Sequence, residues 1–194
     1  GAYKMSKLGI ISRQPQIIEN LGAVSVICFD KTGTLTENKM QVKAIYGFTD
    51  DTLVNLTDNT ILQNENVLRY AMLASESNPF DSMEKAIVEA YDLFVKDTSY
   101  RQLKMVYEYP LQGQPPMMTH VYAQDDKKII AGKGAAERII AICKLSDNDK
   151  NKIIQDTKSL ASNGYRIIGV ASAVQEGVAY PAMQDDFNWQ FEGL

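Results

Sequence analysis

Val24-Ser25-Val26-Ile27-Cys28-Phe29-Asp30-Lys31-Thr32-Gly33-Thr34-Leu35-Thr36 is the stretch on which the reading of this chain turns. Its first part, Val24 to Phe29, is a short apolar run that predicts a buried strand. The strand ends on a carboxylate, Asp30. In an open α/β sheet the carboxyl end of a parallel strand is where ligands bind and chemistry is done. The bland alternative is a polar loop in which Asp30 serves as a turn or cap residue.

The residue types suit phosphoryl transfer. A carboxylate attacks phosphorus to give an acyl phosphate, which splits one hard step into two easier ones; the aspartyl phosphate of transport ATPases is the known example. Asp30 is the candidate nucleophile. Lys31 can place a positive charge near phosphate oxygens, Gly33 lets backbone approach the transferring group, and Thr32 and Thr34 add hydroxyls and main-chain groups. The segment Asp30 to Thr36 resembles, without departure, the phosphorylation motif of the P-type ATPases. The resemblance implies Asp30, Lys31 and Thr32 as catalytic residues, with Asp30 and the Thr32 carbonyl as Mg²⁺ ligands. Soluble phosphohydrolases of the haloacid dehalogenase type carry a second Asp two residues after the nucleophile as acid/base. Thr32 stands there instead, which favours a persistent aspartyl phosphate.

Composition bounds the rest. With 194 residues, 45% hydrophobic and 23% charged, the chain can bury one good core with a small satellite. A net charge of −4 offers no basic surplus for nucleic acid. Cys28 and Cys143 are far apart with no Cys-x-x-Cys pair, so both read as reduced, buried thiols. No window has the roughly 18 consecutive apolar residues of a membrane span. The opening on Gly1 suggests a piece cut from a longer product, the cytoplasmic part of an integral membrane protein if the resemblance holds.

Beyond the phosphorylation segment, Met40 to Tyr46 alternates like a strand and residues 47–51 have turn chemistry. The expected organisation is therefore 1–46 as linker and first part of a phosphorylation domain, 47–188 as a second domain, and 189–194 as the start of a return strand. Helices are expected at Glu65 to Ser75 and after Asn78-Pro79, the latter with Asp81 and Glu84 as a capping box. Strands follow at 103–111, 118–124 and 128–132, the last two joined by a hairpin at Asp125-Asp126. Helices at 135–143 and 146–163 and a strand at 165–173 complete the pattern.

This order resembles the nucleotide-binding domain that P-type ATPases insert after the phosphorylation motif. The implied fold class is α/β: an antiparallel sheet flanked by helices, with a fragment of a Rossmann-like, haloacid-dehalogenase-type phosphorylation domain. Lys133-Gly134-Ala135-Ala136-Glu137 resembles the family's Lys-Gly-Ala-Pro-Glu and departs only at Ala136. Pro79 to Ala86 resembles the Asp-Pro-Thr-Glu-x-Ala segment, implying that Glu84 approaches the adenine amino group. Arg166 matches an Arg that contacts the nucleotide phosphates, a task suited to a guanidinium. By position Leu111 replaces the family's adenine-stacking aromatic and Pro116 its Lys. The nucleotide-binding set is thus Glu84, Leu111, Lys133, Gly134 and Arg166. Two-residue alternation puts Leu103, Met105, Tyr107, Tyr109 and Leu111 on one face of their strand.

The resemblance implies ATP as substrate, Mg²⁺ as cofactor, and as partners the transported cation and the remaining phosphorylation, actuator and membrane domains. The continuation Thr36 to Met40 is more similar to the calcium-pump branch. The family's later Thr-Gly-Asp and Gly-Asp-Gly-x-Asn-Asp segments do not occur in this chain, so it is expected to bind nucleotide without turning it over. A catalytically silent nucleotide-binding module is the alternative from another class. His120, the single histidine, reads as a sheet-surface residue.

Overall fold

In the computed structural model, which describes residues 2–57, 60–175 and 179–194, the chain divides into two units, Gly1–Lys39 and Met40–Leu194. The first unit holds two short helices, α1 (Ala2–Lys7) and α2 (Pro15–Leu21), and one wide helical turn at Lys31–Leu35. The run Val24 to Phe29 is irregular, with a bend at Ser25, and joins no ladder; Val26 and Phe29 are 77% and 60% exposed. The expected buried strand is therefore not formed. A strand becomes buried only when neighbours pair its backbone and cover its faces. Among the described residues of this unit, none does either. Cys28 is exposed for the same reason, whereas Cys143 is buried as expected.

The second unit is built on seven strands: β1 (Ala44–Gly47), β2 (Thr52–Asn55), β3 (Lys104–Gln112), β4 (Met117–Gln124), β5 (Lys127–Ala135), β6 (Ile168–Gln175) and β7 (Gln190–Gly193). They form one open sheet in the order β2-β1-β7-β6-β5-β4-β3, with every pair antiparallel. Helices α3 (Asn66–Leu73) and α4 (Ser82–Phe94) cover one face. Helices α5 (Ala136–Ile142) and α6 (Asp147–Ser162) cover the other. The central strands supply both cores by alternation: Tyr122, Ile129, Ala131 and Val170 pack with Leu68, Met72 and Tyr91, while Val121, Ile130 and Ala171 pack with Ile139, Ile153 and Trp189. This is the α/β arrangement expected, an antiparallel sheet flanked by helices.

The division between units falls at Lys39/Met40, whereas the sequence divides the chain at 46/47 and sets 189–194 apart. β1 and β7 lie side by side in the large sheet. Tyr46 and Leu194 exchange backbone hydrogen bonds of 2.9 and 3.0 Å, and Phe48 stands edge-on to Phe191 at 5.5 Å. Gly193 has φ +155°, and a Cβ there would come within 1.9 Å of the Tyr46 carbonyl oxygen, so this close approach requires glycine. Both ends of the unit are thereby held to one another by ladder bonds and ring packing.

Strand β3 departs from simple alternation. Met105 pairs with Tyr122 but Tyr107 with Val121, an extra residue that shifts the register; a second shift lies between Tyr109 and Gln112. Each extra residue turns the following side chains to the opposite face. Met105 consequently packs with the α3/α4 core and Tyr109 with the α5/α6 core. The one-face stripe from Leu103 to Leu111 is therefore broken.

Candidate functional site

Four strand ends meet at one end of the sheet. Gln112 of β3 pairs with Met117 of β4, Gly134 of β5 lies between Met117 and Gly169 of β6, and Ala135 pairs with Ile168. Register thus gathers the end of β3 with Leu111, the turn after Lys133-Gly134, and the start of β6 just beyond Arg166. Gly134 is required here, because a Cβ would come within 2.5 Å of the Pro116 carbonyl oxygen. Leu111 and Arg166 are exposed.

Lys133 is not exposed. It is 2% accessible, and its Nζ donates to Glu84 Oε1 at 2.6 Å, to Ser75 Oγ at 3.1 Å and to the Ala74 carbonyl; Met118 Sδ lies 3.2 Å away. Burial pulls the ammonium below the usual lysine range, and the Glu84 carboxylate opposes that shift. Glu84 is buried too. Half of the expected capping box forms, since Asp81 Oδ1 accepts from Met83 N at 2.8 Å. The other half is replaced: the Glu84 carboxylate engages Lys133. A buried pair of this kind is costly to break from one side, by about 3–5 kcal/mol, because the remaining charge is stranded.

The same cluster finishes α3. The last carbonyls of a helix lack intrahelical partners and carry the negative end of its dipole. Leu73 O receives Tyr122 OH at 2.7 Å and faces His120 Nδ1 at 3.0 Å, while Ala74 O receives Lys133. Burial pushes the Tyr122 phenol up to about 12 and lowers His120. His120 is wholly buried, correcting the surface position expected for it. Both faces of β4 are covered by helices, so neither set of alternating side chains reaches solvent there.

Two residues of this end were not singled out in the sequence. Arg138 of α5 donates through Nη1 to Gln112 O at 2.6 Å and Pro115 O at 2.9 Å, and through Nη2 to Asp185 at 2.6 Å. It brings a guanidinium to the 113–116 loop, where the family's own basic residues are missing. Gln184 is buried, accepts from Thr119 Oγ1 at 2.8 Å and donates to Met117 O at 3.0 Å, fixing the start of β4. Neither position has a spacing signal, since each contact spans more than 20 residues.

In the first unit Asp30 precedes the Lys31–Leu35 turn and its carboxylate makes no capping bond to it. Thr36 N closes the turn on Lys31 O at 3.1 Å, and Thr36 Oγ1 lies 3.4 Å from Gly33 N. Lys31 is exposed, and the Thr32 side chain lies outside the described residues.

The chain resembles curated proteins over most of its length. It is 30% identical to "Calcium-transporting ATPase 1" of Bacillus cereus, over 88% of this chain and 21% of that protein. It is 32% identical to a "Probable cation-transporting P-type ATPase" of Mycoplasma genitalium, over 88% of this chain and 19% of the relative. It is 29% identical to "Magnesium-transporting ATPase, P-type 1" of Salmonella typhimurium, over 96% and 20%. The chain belongs to the P-type cation-transporting ATPase family. It spans about a fifth of the length of these relatives. No protein-family model matches it. The residues singled out by the P-type ATPase resemblance divide between the units: Asp30, Lys31 and Thr32 lie in the first, and Glu84, Leu111, Lys133, Gly134 and Arg166 in the second. Within the second, Glu84 and Lys133 are in contact, Gly134 adjoins them, and Leu111 and Arg166 stand exposed at the same sheet end. No helix among the described residues is long and apolar enough to cross a membrane.

Proposed function

We propose that this chain is the ATP-binding cytoplasmic portion of a cation-transporting P-type ATPase, with residues 40–194 holding the nucleotide and Asp30 receiving its γ-phosphoryl group. The observation that carries the reading is the convergence of Lys133-Gly134, Glu84, Leu111 and Arg166 on one end of the antiparallel sheet. In it, Leu111 and the small residues at 134–136 offer apolar and backbone surface to adenine, Glu84 an acceptor for its amino group, and Arg166 a fork for phosphate oxygens. Lys133 acts chiefly by holding Glu84 in place, because its ammonium is already engaged.

In the intact pump, Asp30 Oδ attacks the γ-phosphorus as the bond to the ADP oxygen breaks, leaving an acyl phosphate and ADP. A Mg²⁺ fits the donors present, since the Asp30 carboxylate is uncommitted to its own turn and the Thr32 carbonyl is a second hard oxygen. When bound, the ion neutralises charge on the transferring group. Lys31 adds a further positive charge beside it. The membrane, actuator and remaining phosphorylation domains lie in the rest of the protein. The Thr36 to Met40 continuation and the calcium-transporting name of one relative both support a calcium-pump-like branch.

Calorimetric titration of the chain with ATP tests the binding half. Saturable one-to-one binding weakened by Glu84→Gln and Arg166→Ala, in variants that remain folded, is expected. Binding that ignores both substitutions rejects this site. In the whole protein, Asp30→Asn should abolish phosphoenzyme and leave nucleotide affinity unchanged.

A further inference from the structure

Beside the Lys133–Glu84 pair lies a group of side chains that nucleotide binding does not use. His120 sits in the middle of β4 with no accessible surface. Its Nδ1 is 3.0 Å from the Leu73 carbonyl oxygen, which can only accept, so Nδ1 carries the proton and a neutral ring leaves its lone pair on Nε2. Nε2 has no hydrogen-bond partner among the described residues. A buried nitrogen lone pair left unmatched is costly.

The acidic side chains nearest the ring are also electron-rich. Glu108 is directly opposite His120 across the β3–β4 ladder, and Glu76 follows the end of α3 that holds the imidazole. One ligand atom from each of Glu76, Glu108 and His120 lies within 4.8 Å of the others. Two carboxylates and an imidazole lone pair offer acceptors and no proton among them. A cation satisfies all three at once.

We propose that Glu76, Glu108 and His120 form a binding site for a divalent transition ion of the zinc type. Imidazole with two carboxylates suits zinc, cobalt or nickel, whereas magnesium and calcium prefer oxygen throughout. The Nδ1–H to carbonyl bond is the support that a metal-ligating histidine ordinarily has, fixing tautomer and ring orientation. Bonds of about 2.0–2.1 Å place tetrahedral ligand atoms roughly 3.3 Å apart, so atoms within 4.8 Å of one another need to close by at most about 1.5 Å. Glu76 is exposed and can turn inward. Three protein ligands leave a fourth position for water, and the ion ties the end of α3 to strands β3 and β4. This site stands whether or not the neighbouring sheet end binds nucleotide.

The test uses the chain stripped with chelator and titrated with Co²⁺ followed by optical absorption, then with Zn²⁺ as competitor. One Co²⁺ per chain with the visible bands of a low-coordinate nitrogen–oxygen site, displaced by one Zn²⁺, is expected. Glu76→Gln and Glu108→Gln should each weaken binding by about tenfold or more, and His120→Gln should abolish the bands. Because His120 is buried and its substitution can unfold the chain, the exposed Glu76→Gln decides the matter, with circular dichroism verifying the fold. No stoichiometric binding, or affinity unchanged in a folded Glu76→Gln and Glu108→Gln double variant, overturns the site.

Discussion

Two six-residue runs of this chain have opposite fates, and the more apolar of them is the exposed one. Met117 to Tyr122 on β4 is buried on both faces, with neighbours pairing each edge and helices covering both sides. Val24 to Phe29 has its side chains in solvent and no partner strand among the described residues of its unit. Apolar content sets what a segment gains from burial; whether it is buried depends on the rest of the fold. The candidate binding residues stand on the first kind of framework and the candidate nucleophile at the end of the second.

The largest expected consequence concerns chemistry at the unpaired run. With the Val24 to Phe29 run unpaired and the family's further carboxylates absent from this sequence, Asp30 of this chain should form no appreciable aspartyl phosphate, a loss of orders of magnitude relative to the whole protein under the proposed function. Incubation with γ-labelled ATP followed by acid quenching measures this. Stoichiometric label on Asp30 would break the comparison, because an unsupported strand would then suffice.

On the paired framework, removing one member of the buried ion pair is the sharpest test. Lys133→Met and Glu84→Leu should each cost about 3–5 kcal/mol in unfolding free energy, while the double replacement should recover most of that loss. Denaturant melts of the four proteins give the coupling. Additive losses would mean that the pair does not act as a unit.

Cysteine chemistry compares the two regions within one molecule. Cys28 lies in the exposed run and Cys143 in the α5/α6 core, where burial pushes the thiol up to about 12. Under native conditions a thiol alkylating reagent should label Cys28 about tenfold faster or more, with Cys143 reacting only as the second unit opens. Equal rates would deny the difference in burial. The linkage has a definite sign: the folded thiol keeps its proton above the unfolded value of 9.0, so its contribution is full below pH 9.0 and is lost as pH rises towards about 12.

The smallest effect belongs to Leu111. Tyr109 is committed to the core, donating to Pro181 O at 2.6 Å and standing edge-on to Phe187 at 5.7 Å, so it is not available to stack on a base. Leu111 is exposed at the strand end. Leu111→Phe should tighten ATP and ADP binding by about two- to tenfold, the factor implied by roughly 0.5–1.5 kcal/mol of ring stacking. Calorimetric titration reads it directly. An unchanged constant would place adenine elsewhere.

Much of this molecule was legible in its sequence, for local physical reasons. Helical periodicity located α3 and α4, Asp81 and Ser146 began α4 and α6 by accepting from Met83 N and Asp149 N, and Asp125-Asp126 turned the β4–β5 hairpin. Such signals act within a few residues, and the family motifs are equally local. What only the tertiary structure decided are contacts between distant segments. Glu84 engages Lys133 rather than completing its capping box, His120 is buried because helices cover both faces of β4, and the two register shifts of β3 send Tyr109 to the opposite core from Met105. β1 and β7 join one sheet because Gly193 allows Tyr46 to approach. The Val24 to Phe29 run is the converse: its pattern specifies a strand, but burial needs neighbours that a local pattern cannot supply.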